Sequence, residues 1–167
     1  MDLRMDDQRF APDRVRVALS AAGIDARIEE FPSSTRTAQE AATTVGTSVG
    51  QIVKSLVFLA DTSPVLALVS GVNRLDTERL GMLTGAVIGK ADAITVRQAT
   101  GYAIGGVPPI GFPAPIPTFI DRDLLQYDVV WAAAGTPRHV FPIAPGELLR
   151  ITGGRVADLA TDKTIEG

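Results

Sequence analysis

The chain has no cysteine and a single histidine, His139. A disulfide framework and thiolate chemistry are therefore excluded, and one imidazole leaves too few nitrogen ligands for a usual zinc site. Neither a metal nor a cofactor is expected. Basic charge is also scarce: 16 Lys plus Arg stand against 19 Asp plus Glu. The chain thus lacks the broad positive surface with which a protein coats nucleic acid, and DNA is not an expected partner, although a local basic rim is compatible with this balance. Residues 1–9 are charged and hold no apolar core, so no secretory signal is read there. The uncharged window over residues 98–120 contains too many glycines and prolines to cross a membrane. A cytoplasmic protein without membrane contact is the expectation. With 167 residues, 46% of them apolar, residues 1–167 are read as one domain with a well-buried core.

What that uncharged window does contain is the segment Gly101-Tyr102-Ala103-Ile104-Gly105-Gly106-Val107-Pro108-Pro109-Ile110-Gly111. Pro108 and Pro109 fix φ and remove two backbone donors, while Gly105 and Gly106 open conformations closed to other residues. The result is a stiff loop with apolar walls. The adjacent N–H groups of Gly105, Gly106 and Val107 are expected to point together at a carbonyl or carboxylate as a backbone nest. An ordinary rigid turn is the plainer alternative.

Lys54 is the second residue of interest. Strand alternation puts it on the same face as Leu56 and Phe58, while Val53, Ser55 and Val57 face the other way. Two readings stand side by side. Its stem lies along apolar surface and its ammonium reaches water, or the ammonium is an anchor for a phosphate or a polarised ester oxygen at the mouth of a cavity.

Residues 13–22 carry an amphipathic helical spacing that stops at Gly23, and residues 26–31 read as a strand. Thr37 stands three residues before Glu40 at the start of an alanine-rich run ending near Gly46, which predicts a capping box. Residues 52–60 and 65–70 are two apolar, β-branched runs separated by turn chemistry at 61–64, hence a β-hairpin. Asp76 predicts a helix reaching about Leu83, residues 86–88 a short strand, and Asp92 a helix ending at Gly101. Strands follow at 118–121, 128–133 and 139–143, then a helix over 145–151 stopped by Gly153 and Gly154. Hairpin-like strands interrupted by helices favour an α+β domain, a curved, mixed and largely antiparallel sheet surrounded by helices.

Several motifs imitate catalytic patterns. Gly46-Thr47-Ser48-Val49-Gly50 has the spelling of a nucleophile elbow, but that device needs a strand before the serine and a helix after it. Here the order is reversed, and Ser48 is read as the start of a short turn. Gly85 to Lys90 is one residue short of a phosphate loop and lacks its hydroxyl residue. Asp121-Arg122-Asp123 is read as capping or solvated charge rather than a magnesium site. His139 has no paired Asp or Ser evident from spacing and is read as structural, with an acid or base role as the alternative.

Three segments taken together resemble the YbaK family, the prolyl-tRNA synthetase editing-domain family of aminoacyl-tRNA deacylases. They are Thr37 to Glu40 with Gln51-Ile52-Val53-Lys54-Ser55-Leu56-Val57-Phe58, the 101–111 loop, and Ala132-Ala133-Ala134-Gly135 leading to a helix with Glu147-Leu148-Leu149. The resemblance spans residues 31–159. It implies a pocket between the lysine strand and the glycine-proline loop. Lys54 matches the family's functional lysine, and Gly105 with Pro109 matches its Gly-x-x-x-P loop, which holds the aminoacyl group. The implied binding set is Thr37, Gly105, Gly106, Val107, Pro108, Pro109, Gly111, Gly135, Thr136 and His139, with Val107, Ile110 and Phe112 as candidate walls.

The implied activity is that of a freestanding trans-editing hydrolase, which removes a small amino acid from mischarged tRNA. An aminoacyl ester is already activated, so positioned water and dipoles suffice without a protein nucleophile. The acceptor end of a charged tRNA is the implied substrate and a synthetase a further partner, with Arg36, Arg74, Lys90 and Arg138 as a basic rim or as scattered surface charge. Ala133 and Val140 stand where cysteine-directed members carry serine and aspartate, which argues against a cysteinyl substrate; Thr136 and His139 supply different polarity. A noncatalytic module that binds an aminoacyl-adenosine or amino acid, and a protein-interaction domain using the uncharged window, are the alternatives.

Overall fold

The uninterrupted apolar run Val65-Leu66-Ala67-Leu68-Val69 lies at the centre of the fold, with Leu66, Ala67, Leu68 and Val69 fully shielded from solvent. Complete burial of a leucine or valine side chain contributes about 1.5–3 kcal/mol. The computed structural model describes residues 3–161, with side chains from residue 10 onward. The side chains of residues 1–9, on which the reading of no secretory signal rests, lie outside the described residues.

In chain order the elements are α1 (Leu3–Ala21), β1 (Glu29–Glu30), α2 (Ala38–Val45), β2 (Val53–Ala60), β3 (Ser63–Ser70), α3 (Thr77–Thr84), β4 (Ile88–Lys90), α4 (Ala93–Thr100), β5 (Thr118–Asp121), β6 (Val130–Ala133), β7 (His139–Ile143), α5 (Pro145–Thr152) and β8 (Arg155–Ala157). Short 3₁₀ turns fill Val49–Gln51 and Arg122–Gln126. The capping chemistry is as the residue types dictate. Thr37 Oγ1 accepts from the Glu40 amide, and Asp76 and Asp92 accept from amides in the first turns of α3 and α4. Glu40 returns a bond to the Arg36 amide rather than to Thr37, a variant of the expected capping box.

The expected α+β class is what forms, divided into two sheets. One has the order β4-β2-β3-β5-β8 and is antiparallel from β4 to β3 and parallel from β3 to β8. The other, β1-β7-β6, is antiparallel throughout, and the isolated bridge of Ile52 with Trp131 joins the two. No described helix is long and apolar enough to cross a membrane.

Six elements differ from the sequence expectation: β4 forms at Ile88–Lys90 rather than over 86–88, β6 starts at Val130 rather than at 128, and four others differ as follows. α1 starts well before residue 13 and passes through Pro12, where the apolar period gives no signal. β1 shrinks to the two residues that find partners on β7, Glu29 opposite Val140 and Glu30 opposite His139. The hairpin turn is tighter than expected, since Ser63 and Pro64 already pair with Ala60 and Leu59 while Asp61 takes a positive φ of 55°. β8 was not foreseen. Its short sequence is a strand only because β5 offers Phe119, Ile120 and Asp121 as a free parallel edge.

The alternation along β2 holds. Leu56, Phe58 and Ala60 pack on the cluster around Val65, Ala67 and Val69, while Val53 and Val57 join the opposite cluster with Leu66 and Leu68. β4 pairs with β2 only at Phe58, Leu59 and Ala60. Residues 53–57 therefore have β3 on one side and no paired strand on the other among the described residues, and this open edge is where a site forms.

Candidate active site

A cleft of about 610 Å³ runs along the open half of β2. Its walls are Val53, Lys54, Ser55 and Leu56 from β2, Thr35 to Ala38 at the entry of α2, Ile104, Gly105 and Val107 from the loop after α4, and Trp131, Ala133, His139 and Val140 from β6 and β7. Among these described walls stand two permanent cations, Arg36 and Lys54, one imidazole and no carboxylate. Such a composition favours an anionic or strongly polarised ligand.

The Lys54 ammonium donates to the backbone carbonyl of Asn73. Burial pushes this group below the ordinary lysine range, and the nearby Asp121 charge works in the opposite direction. The apolar Leu56 shares its face of the strand, and its charged end is held at the cleft rather than left free.

The loop after α4 is fastened at two places. Arg14 Nη2 donates to Gly101 O at 3.0 Å, and its guanidinium lies 4.7 Å from the centroid of the Tyr102 ring. Farther along, the Gly106 carbonyl accepts from the Gly135 amide at 2.9 Å. Here the expected nest needs correction. The Gly106 N–H is spent on Ala103 O at 3.0 Å, because the chain closes a turn there. The amides of Gly105 and Val107, both lining the cleft, have no hydrogen-bond partner among the described residues. Two donors remain where three were expected.

His139 is not isolated. Its Nδ1 lies 2.5 Å from Thr136 Oγ1 and its Nε2 lies 3.6 Å from Glu30 Oε2. Partial burial holds the imidazole below its ordinary range, Glu30 opposes that and Arg138 adds to it. The register of β1 on β7 brings Glu30 opposite His139, a pairing that spacing along the chain does not reveal.

Of the residues singled out from the sequence, Thr37, Lys54, Gly105, Val107 and His139 surround this cleft. Gly106, Gly135 and Thr136 stand behind it as the clamp between two loops. Pro108 is buried next to the wall residue Val107. Pro109 and Gly111, with Ile110 and Phe112, line a separate concavity of about 270 Å³, so Ile110 and Phe112 are not walls of the cleft. The positive φ of Gly111, 93°, marks where the chain turns toward α1, with Ala18 as its neighbour. Ile104, Ser55 and Trp131 were not foreseen as walls; Trp131 arrives through its bridge to Ile52. Of the proposed basic rim, Arg36 lines the cleft, whereas Arg138 is engaged with the carbonyls of Phe31 and Pro32.

The motifs set aside behave accordingly. Ser48 Oγ donates to Gln51 Oε1 at the 3₁₀ turn, Gly85 ends α3, and Asp121 accepts from the Asp123 amide.

Residues 32–151 match the family model described as an aminoacyl-tRNA editing domain. A protein of Enterococcus faecalis, named as a candidate Cys-tRNA(Pro)/Cys-tRNA(Cys) deacylase, EbsC, is 30% identical over 128 residues, covering 74% of this chain and 77% of that one. A proline–tRNA ligase of Streptococcus sanguinis is 30% identical over 115 residues, 66% of this chain but only 18% of the ligase. Among solved structures, a candidate trans-editing enzyme for prolyl-tRNA synthetase shares 50% identity and superposes with a TM-score of 0.88 over 91% of this chain and 98% of its own.

Proposed function

Because the chain belongs to the aminoacyl-tRNA editing domain family, we propose that it is a trans-editing hydrolase acting on the ester of a mischarged tRNA. The observation that carries this reading is the cleft itself: cationic, without a carboxylate among its described walls, and lined by a held lysine and by Gly105 and Val107, whose amides have no hydrogen-bond partner among the described residues. In the proposed reaction Lys54 binds the terminal nucleotide. The amides of Gly105 and Val107 receive the oxyanion that develops when water adds to the ester carbonyl. The carbon–oxygen bond to the ribose then breaks, the ribose oxygen takes up a proton, and the free amino acid leaves. A neighbouring ribose hydroxyl assists the attacking water, so no protein nucleophile is needed.

Ala133 and Val140 give this part of the cleft apolar walls. A small aliphatic acyl group is therefore the proposed substrate, in preference to the cysteinyl group in the name of the E. faecalis relative. The substrate partner is the acceptor end of a charged tRNA, residues 1–167 act as one separate domain, a synthetase is a further partner, and the cytoplasm is the place of action.

The test is release of amino acid from tRNAs mischarged with alanine, serine, cysteine and larger residues. Small residues are released fastest, and Lys54→Ala lowers kcat/KM by about 100-fold or more while circular dichroism and Tm stay near those of the parent. Binding without release from any charged tRNA refutes the hydrolase reading; full activity in Lys54→Ala refutes the role of that residue.

A further inference from the structure

The lysine is held from behind by a buried carboxylate. Asn73 lies in the turn after β3, closed by its amide on Ser70 O at 2.9 Å. Its carbonyl accepts from the Lys54 ammonium, and its side-chain amide donates to Asp121 Oδ2 at 2.8 Å and to Asp123 Oδ2 at 2.7 Å. Asp121 Oδ2 also accepts from the Ser70 amide at 3.0 Å, and its Oδ1 from the Asp123 amide at 2.9 Å. Asp121 is 1% and Asn73 2% exposed.

Three neutral N–H donors satisfy the lone pairs of Asp121 without cancelling its charge, and a buried carboxylate is costly without a cation in range. The 3₁₀ cap itself uses only Oδ1, which a neutral asparagine also supplies; the second oxygen serves Ser70 and Asn73, so the carboxylate contributes both an extra acceptor and a charge. Lys54, bonded to the same Asn73, is a cation on which the Asp121 charge acts. The cleft that Lys54 lines also holds Arg36 before α2 and His139 on β7, neither of them an anion, and the β3 residue paired with Lys54 is Val69. Among the described residues, the carboxylates bonded to Asn73 are Asp121 at the end of β5 and Asp123 in the turn beyond it.

We propose that Asp121, acting through Asn73, is a positioning residue that holds the Lys54 ammonium charged and aimed into the cleft. It rests on the deacylase reading only in giving Lys54 a substrate to meet.

The experiment follows the Lys54 side chain by NMR titration, in parallel with kcat/KM for a hydrolysed aminoacyl-tRNA across pH. Asp121→Asn removes the charge and keeps one acceptor oxygen, while its amide nitrogen replaces the other acceptor and meets N–H donors there. The Lys54 midpoint falls by about half a pH unit or more, and the alkaline limb of kcat/KM moves down with it. Asp128→Asn, the same change at an exposed site beyond the 3₁₀ turn, leaves both in place. A folded Asp121→Asn protein with an unmoved Lys54 midpoint overturns the proposal. Should that variant not fold, the unmutated protein decides: slow exchange of the Lys54 ammonium hydrogens supports the anchor, and a freely rotating, rapidly exchanging ammonium overturns it. A shifted midpoint in a protein that hydrolyses no charged tRNA supports the anchor and removes only the deacylase reading.

Discussion

The Gly106 carbonyl and the Gly135 amide meet at 2.9 Å, joining two loops that border the cleft. The approach leaves no room for side chains: a Cβ on Gly106 lies 2.6 Å from Thr136 Cα and 2.7 Å from both the carbonyl carbon and the oxygen of Gly135. All three neighbours are backbone, so nothing can rotate away. Gly106→Ala is therefore expected to cost about 3 kcal/mol or more, read as a lower Tm, and to weaken hydrolysis by displacing the amides of Gly105 and Val107. Gly146→Ala is the contrast. That glycine sits in α5 with nothing within 4 Å of its Cβ position, and the substitution stabilises by about 0.5–1 kcal/mol. Equal effects of the two substitutions on Tm contradict the clamp.

His139 gives a pH dependence whose sign is set by its environment. Burial lowers its folded-state value beneath the ordinary histidine value of about 6.5, so the unfolded chain binds this proton more readily than the native one. Stability then falls as pH drops from about 6.5 through the lowered folded value, and is regained on the way up. His139→Gln removes this segment of the profile. The check is Tm or denaturant midpoint against pH for both proteins, and a parent profile no steeper than that of the variant in this window contradicts the assignment.

Val107 is a wall of the cleft and only 2% exposed. Val107→Ala shortens a side chain packed into the core beside the cleft, which is expected to enlarge the space proposed for the acyl group at a stability cost of about 1–3 kcal/mol. Since apolar pockets discriminate by about 1–3 kcal/mol per methylene, the selectivity between alanyl and a one-carbon-larger acyl group is expected to narrow by about tenfold. Competitive hydrolysis of two mischarged tRNAs measures it, and an unchanged ratio removes Val107 from the specificity wall.

How legible was this molecule before its structure? Elements bounded by local chemistry are legible in the sequence: Thr37, Asp76 and Asp92 start helices, and β5 and β7 span the residues expected of them. Elements that exist through a distant partner are not. β8 depends on β5 and the brevity of β1 depends on β7; the loss of the Gly106 amide is a local matter, a turn back to Ala103 that the glycine pair permits without specifying. The site divides in the same way. Lys54 and the glycine-proline loop stood out by residue type, helped by the family resemblance, but the support behind the lysine joins residues 48 positions apart, Asn73 and Asp121. No local pattern encodes that pairing. Asp121 was legible only as a cap, which it is, and its burial under the lysine is a property of the folded sheet alone.

Thr37 illustrates how one hydroxyl can serve fold and ligand together. Its Oγ1 accepts from the Glu40 amide at 3.1 Å, capping α2, and the residue also lines the cleft. A hydroxyl has one hydrogen to give as well as lone pairs to receive, and the cap uses only a lone pair. Thr37→Ala is expected to cost about 1 kcal/mol through loss of the cap and to raise KM. Thr37→Ser restores both. Thr37→Asp separates the two uses: a carboxylate caps well, so Tm returns, but at neutral pH it has no hydrogen to donate and repels a phosphodiester, so KM stays high. Measuring Tm and KM for the three variants decides the matter. If Thr37→Ala lowers Tm with no change in KM, Thr37 is a helix cap and nothing more.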